Sequence, residues 1–169
     1  MKIAVTGSSG LIGPDLVRSL RTDGHEVLRL VRRTPRTADE HRWDPPHRRI
    51  DPALLLDVDA VVNLAGVGIG DRRWTRRYRQ EVLASRVDST ATISQGLAEA
   101  VAADPGRSRV LLSGSAVGFY GDTGERAVDE RAPASRAGSV AASHCRQTSV
   151  RKPAPAGSRS STARSPVSP

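Results

Sequence analysis

The sequence predicts an α/β fold built on a doubly wound parallel sheet, and three observations lead there. Short runs rich in Val, Ile and Leu alternate with helix-periodic stretches along residues 1–134. Strands that alternate with helices pair in parallel, because right-handed crossovers return the chain to the same sheet and cover both its faces. Gly7, Gly10 and Gly13 stand between the first strand and the first helix, where such folds make their tightest turn.

The elements follow in chain order. Lys2 to Val5 reads as a short strand ending at Thr6-Gly7. Leu11 to Arg21 reads as a helix, with Ile12, Leu16 and Leu20 at four-residue intervals and Gly24 as its stop. Glu26 to Val31 is a second strand, and His41-Arg42-Trp43 a short third one that runs into Asp44-Pro45-Pro46. Asp59 to Leu64, containing Ala60-Val61-Val62, reads as a buried strand. Trp74 to Ala103 is helical, with a break expected near Ser85, and Asp104-Pro105-Gly106 is a turn. Arg109 to Leu112 is the fifth strand, which completes a first half of a doubly wound sheet and begins a second.

Beyond residue 134 the composition changes. Residues 135–169 hold nine Ser and four Pro, with no Leu, Ile, Met or aromatic residue. Such a segment cannot bury enough apolar area to offset its ordering entropy, so 135–169 is expected to be a disordered tail beside a 1–134 domain. The tail carries +6 of the chain's +8, from five Arg and Lys152 with no acid. The basic character therefore says little about what the folded part binds. The Ser, Arg, Pro and Ala bias is what GC-rich codons give when misread. A truncated fold followed by out-of-frame translation is one expectation; a short protein with a genuine disordered tail is the other.

Several function classes recede on composition. The single Cys145 cannot form an internal disulfide, which points to a reducing, cytoplasmic setting. No apolar run approaches the roughly 20 residues that span a bilayer, and Gly7-Ser8 interrupts the start before an apolar signal core could form. The histidines at 25, 41, 47 and 144 lack metal-ligand spacing, so no metal is expected. Arg72, Arg73, Arg76, Arg77 and Arg79 surround Trp74 and Tyr78, a pattern that nucleic acid can use. Residues 1–134 are nearly neutral overall, however, and the reading favours a small-molecule partner over nucleic acid or membrane; the oligomeric state stays open.

The segment Val5-Thr6-Gly7-Ser8-Ser9-Gly10-Leu11-Ile12-Gly13 carries the chemistry. Gly7 permits a tight turn off the strand, Gly10 lets backbone approach a pyrophosphate without an intervening Cβ, and Gly13 lets the helix pack close to the sheet. Free N–H groups around Leu11 and Ile12 would then face the phosphates. A glycine turn that merely packs strand on helix is the alternative. Pro14 is compatible only if the helix begins at Leu11 or later. After the second strand, where an acid would favour the ribose hydroxyls of NAD, the chain has Arg32-Arg33. Guanidinium groups there suit a 2′-phosphate, so NADP is preferred over NAD, against the alternative of a solvated basic loop.

With this Rossmann loop, Asn63-Leu64-Ala65-Gly66 after the fourth strand and Ser113-Gly114-Ser115-Ala116 after the fifth, the chain resembles the extended short-chain dehydrogenase/reductase superfamily. More narrowly it resembles the NAD-dependent epimerase/dehydratase-like subgroup of bacterial nucleoside-diphosphate-sugar epimerase homologues. Arg42-Trp43-Asp44-Pro45, Arg73-Trp74-Thr75, Ser85-Arg86-Val87 and Val117-Gly118-Phe119-Tyr120-Gly121-Asp122 narrow it, and the resemblance covers about residues 1–133.

The resemblance implies an oxidoreductase or epimerase that binds NADP or NAD and acts on a sugar-nucleotide-like or small alcohol or carbonyl substrate. It implies that Gly7, Gly10, Leu11, Ile12 and Gly13 surround the pyrophosphate and that Arg32 and Arg33 meet the adenosine ribose or its phosphate. Asp44 would approach the adenine edge, and Asn63, Leu64, Ala65 and Gly66 would wall the adenine-side ribose. Ser115 matches the active-site serine that hydrogen-bonds the reacting oxygen; a strand-end serine satisfying a turn is the other reading. The superfamily's acid/base pair, Tyr-x-x-x-Lys, is missing near residue 140, where the sequence is Ser139-Val140-Ala141-Ala142-Ser143-His144-Cys145. The narrower subgroup itself tends to lack that pair. Arg86 stands where many extended members carry an active-site Asn, or else is a surface helix cation. A non-catalytic dinucleotide-binding module or an inactive remnant is the alternative function.

Overall fold

In a computed structural model of the chain, residues 1–114 and 119–133 are described. The residues expected to form the disordered tail, and Ser115, lie outside them. The elements are β1 (Lys2–Thr6), α1 (Gly13–Thr22), β2 (Glu26–Val31), β3 (Glu40–Arg42), α2 (Pro52–Leu56), β4 (Ala60–Asn63), α3 (Arg76–Ala103) and β5 (Val110–Ser113), with a short 3₁₀ turn at Pro45–His47. The five strands form one sheet in the order β3-β2-β1-β4-β5. Every pair is parallel, with Val5 opposite Arg29 and Val62. The winding reverses between β1 and β4, so the crevice outside their C-terminal ends is the topological switch point where open α/β sheets take ligands.

Each face of the sheet has its own core. Ile3, Val5, Val27 and Ala60 point to one side, where Val17, Leu16 and Leu20 of α1 cover them. Ala4, Leu28, Leu30 and Val61 point to the other, under Leu55 of α2 and Ile93, Leu97 and Ala100 of α3, with Trp43 closing the flank. This is the alternation a strand buried on both faces must show. α1 ends where expected: Gly24 adopts φ +78°, its N–H reaches the Arg21 carbonyl at 3.0 Å, and the His25 N–H reaches Leu20 at 2.9 Å. That is a Schellman stop, which glycine fills without a Cβ penalty.

Three local expectations change. α1 begins at Gly13 rather than Leu11, which places Pro14 in its first turn, where no N–H is needed. α3 runs unbroken through Ser85, whose Oγ donates to the Val82 carbonyl one turn back at 2.9 Å and so stays compatible with the helix. α2 has no counterpart in the sequence reading. Its start is marked by Asp51, whose carboxylate accepts the Ala53 N–H at 3.0 Å ahead of Pro52. Leu55 then packs into the space left by Gly96 of α3, where a Cβ would sit 2.6 Å from the Leu55 Cδ1.

Candidate functional site

The loop after β1 is shaped by contacts that only glycine allows. Gly7 sits at φ +64°, and a Cβ there would lie 2.7 Å from the Leu64 carbonyl carbon and oxygen. The loop is thus pressed against the chain leaving β4. A Cβ on Gly13 would fall 2.4 Å from the Gly7 oxygen and 2.6 Å from Ser8, so Gly13 packs on the loop backbone itself rather than on the sheet. Gly10 closes the turn by donating its N–H to the Gly7 carbonyl at 3.0 Å. A Cβ added at Gly10 would meet only that carbonyl, at 3.3 Å, a tight contact that asks for a small shift of the loop and far less than the overlaps at Gly7 and Gly13.

The start of α1 is left open. Ile12 occupies the cap position with no side-chain cap, so the first-turn amides lack the usual Ser, Thr, Asp or Asn acceptor. Leu11 is 96% exposed and Ile12 63%. An uncapped helix start flanked by exposed aliphatics suits an anion that takes the amides and a flat group that covers the side chains.

Across the crevice, the end of β4 is held by buried hydrogen bonds. Thr6 Oγ1 donates to Asn63 Oδ1 at 2.7 Å and accepts the N–H groups of Leu64 and Ala65 at 3.1 Å each. Asn63 Nδ2 reaches Thr90 at 3.2 Å and Ser113 at 3.4 Å. Asn63 therefore ties β1, β4, β5 and α3 together and sets the wall formed by Leu64, Ala65 and Gly66. The next stretch is stapled to α3. The Val67 N–H donates to Ser85 Oγ at 3.0 Å, Arg86 Nη1 donates to the Val67 carbonyl at 3.0 Å, and the Tyr78 hydroxyl donates to the Gly68 carbonyl.

These pieces enclose a cleft of about 850 Å³. Gly7, Gly10, Leu11, Ile12, Gly13, Asn63, Leu64, Ala65 and Gly66, nine of the expected positions, all line it. Ser113 and Gly114 line it too, immediately before Ser115. The far wall is a face of α3, formed by Leu83, Arg86, Val87, Thr90, Ala91 and Ser94, of which the sequence reading had singled out only Arg86 as a site position. Arg86 is a cleft residue, not the surface cation that was the alternative. The hydroxyl oxygen of Ser94 is shielded from solvent and has no hydrogen-bond partner among the described residues. No cluster of three His, Cys, Asp or Glu able to hold a metal occurs among them either, nor any helix long and apolar enough to cross a membrane.

Arg32, Arg33 and Asp44 lie outside that lining. Arg33 is engaged: its Nη1 and Nη2 donate to the two Glu40 oxygens at 2.7 and 2.6 Å. The Glu40 side chain is 2% exposed, also accepts the Arg36 N–H at 2.8 Å, and lies 3.1 Å from Arg29. The Arg33 guanidinium, with that backbone bond, holds the Glu40 carboxyl down at about 2. Asp39 is likewise held well below the usual carboxylate range, first by Arg29. Arg32, directly after β2, is exposed and takes no part in these pairs. The Asp44 carboxylate lies 2.8 Å from His47 Nδ1, and Asp44 borders a smaller recess with Trp43 and Arg49.

The profile of the NAD dependent epimerase/dehydratase family matches residues 3–143. An epimerase family protein of Mycobacterium bovis is 46% identical over 128 residues, covering 76% of this chain and 40% of that protein. The crystal structure of the human epimerase family protein SDR39U1 with NADPH superimposes with a TM-score of 0.60 at 29% identity, over 79% of this chain and 43% of that one. The nucleoside-diphosphate sugar epimerase of Corynebacterium glutamicum gives 0.64 at 34% identity, over 83% of this chain and 28% of that one. The chain thus spans less than half the length of each of these relatives.

Proposed function

Because the chain belongs to the NAD dependent epimerase/dehydratase family, we propose that its switch-point cleft holds NADP(H) or NAD(H), and that the complete site acts on a sugar-nucleotide-like or small alcohol or carbonyl substrate. The dinucleotide, when bound, supplies a hydride donor or acceptor at C4 of its nicotinamide. The observation that carries the reading is the uncapped start of α1, held against β4 by Gly7 and Gly13 with Leu11 and Ile12 uncovered. Amides of Leu11, Ile12 and Gly13 take the pyrophosphate, and the Leu64–Gly66 wall takes a ribose.

At the adenosine end we assign the 2′-phosphate to Arg32 rather than Arg33. Arg32 follows β2 at the C-terminal edge of the sheet and is free of the carboxylates, whereas Arg33 would have to leave Glu40. This supports NADP over NAD. Asp44 is assigned to the adenine edge, and Ser115 to a hydrogen bond with the reacting oxygen of the substrate; Ser113 and Gly114, which lead to it, border the cleft.

A second reading has an observation of its own. Among the described residues that line the cleft there is no Tyr, Lys or His to move a proton. Tyr78 is committed to the Gly68 carbonyl, and Lys2 is paired with Asp57 and Glu26 at the opposite end of the sheet. That favours a dinucleotide-binding module without turnover. Titration of the purified chain with NADPH and NADH, followed by nucleotide fluorescence, tests both. Saturable binding, tighter for NADPH, is the expected result, and absence of binding overturns the proposal. Turnover on a panel of carbonyl substrates would then separate enzyme from module.

A further inference from the structure

Arg86 is a cleft residue with an unusual surrounding. Only two titratable side chains line the cleft among the described residues, Asp71 and Arg86. The other guanidiniums drawn into the fold meet carboxylates: Arg29 at Asp39, Arg33 at Glu40 and Arg109 at Asp104. Arg86 makes no such pair with a described residue. Its bonds leave from one nitrogen, Nη1, to the carbonyls of Val67 and Val82, each at 3.0 Å. A half-buried cation without a counter-ion is costly unless a ligand supplies one.

The anchoring also fixes what remains. A guanidinium has five donors in a planar fork, and Nη1 uses two of them. The Nε and Nη2 edge keeps three, the side-on pair that matches two oxygens of one phosphate or carboxylate. The plane cannot swing freely. It lies against Gly66, where a Cβ would come within 3.3 Å of the Arg86 Cζ, and Ser85 holds the Val67 amide while Arg86 holds its carbonyl. A preorganised fork loses little rotamer entropy when it binds.

We propose that Arg86 is an oxyanion-binding residue of the cleft, taking two oxygens of a phosphate or carboxylate on its Nε/Nη2 edge. That oxyanion belongs either to the dinucleotide or to the second substrate. The first source rests on the reading of the cleft given above; the second does not.

The test uses the full chain as wild type, Arg86→Lys, Arg86→Gln and Ser85→Ala, with inorganic phosphate and NADPH as probes. Phosphate affinity is measured by calorimetry on the dinucleotide-free and the NADPH-saturated protein, and folding by thermal unfolding. The expected result is a loss of phosphate affinity of at least tenfold in both Arg86 variants, larger in Arg86→Gln, with a clearly smaller loss in Ser85→Ala. If the dinucleotide is the source, NADPH affinity falls in parallel and phosphate competes with NADPH. If the substrate is the source, NADPH affinity holds and phosphate still binds the loaded protein. Equal phosphate affinity in wild type and Arg86→Gln overturns the inference. So does a Ser85→Ala loss as large as that of Arg86→Gln, which would make Arg86 a brace for the loop alone. Failure of NADPH to bind wild type, with phosphate binding still dependent on Arg86, would sink only the dinucleotide reading.

Discussion

Lys2, Asp57, Asp59 and Arg107, at the N-terminal ends of β1, β4 and β5, satisfy one another, while around the crevice at the opposite end the start of α1 and the Arg86 guanidinium keep donors without a charged or capping partner among the described residues. Lys2 Nζ lies 2.8 Å from Asp57 and 3.1 Å from Glu26, and Arg107 reaches Asp57 at 3.1 Å and Asp59 at 2.9 Å. Arg109, its side chain 1% exposed, donates to the carbonyls of Leu55, Leu56, Asp104 and Arg107 and so closes the ends of α2 and α3. At the other end α1 starts without a side-chain cap, Arg86 has no carboxylate partner among the described residues and Leu11 faces solvent. The difference teaches where this chain reserves binding capacity. Buried polar groups are paired wherever the fold alone is at stake, and donors are held in place but unpaired where a ligand is due.

Five variants break or sharpen that contrast. The largest effect is expected from Gly13→Ala, whose new Cβ overlaps the Gly7 and Ser8 backbone. It should lower unfolding free energy by roughly 3 kcal/mol, measured by urea denaturation. Arg109→Ala comes next. It strands several buried carbonyls and should lose about 2 kcal/mol while leaving NADPH binding intact. At the open end, Arg32→Ala should weaken NADPH about tenfold, or about 1.4 kcal/mol, with NADH unchanged and stability held; Arg33→Ala should spare NADPH affinity and lower stability. Lys2→Ala, in a partly exposed pair, should shift stability by less than about 1 kcal/mol.

Acid separates the two regions in another way. Glu40 has its pKa depressed in the folded state, so its pairing stabilises fully above the ordinary glutamate value of about 4.3. That stabilisation is lost as pH falls towards about 2, because the unfolded chain takes up the proton first. Glu40→Gln should flatten this limb of the stability profile in acid unfolding. An unchanged slope would show that the Arg33 pair does not form in solution.

The inner strands β1, β2 and β4 were legible because they are buried on both faces, and the edge strand β5, largely exposed, because Val110-Leu111-Leu112 is still an apolar run. The sequence places β2 at its observed limits and β1, β4 and β5 within one residue of theirs, and burial leaves runs such as Val61-Val62 with little choice of residue. Gly7 and Gly13 were legible for a different reason, since a glycine forced by backbone contact leaves a spacing in the sequence, whereas Asn63 to Gly66 came from the family resemblance. α2 was not, since Pro52–Leu56 is too short for a period, although Asp51-Pro52 is a start signal. Apart from Arg86, which the family resemblance marked, the α3 wall was missed because two stripes overlap on one helix. Val82, Ser89, Ile93 and Leu97 face the core, while Leu83, Arg86, Val87, Thr90 and Ser94 face the cleft. A helix apolar on two sides hides the break in amphipathic pattern that usually marks the solvent face. Arg33 and Asp39 illustrate the remaining gap: nothing in local spacing says which of neighbouring arginines will be consumed by an ion pair.

The central claim is that the loop after β1 leaves room for a dinucleotide's phosphates, and Gly10 isolates it, because its missing Cβ would touch only the Gly7 carbonyl. NADPH titration of Gly10→Ala beside wild type, with thermal unfolding of both, is the most direct measurement. The account predicts near-equal stability and at least a tenfold loss of NADPH affinity. An Ala variant that folds as well and binds NADPH as tightly as wild type would contradict it.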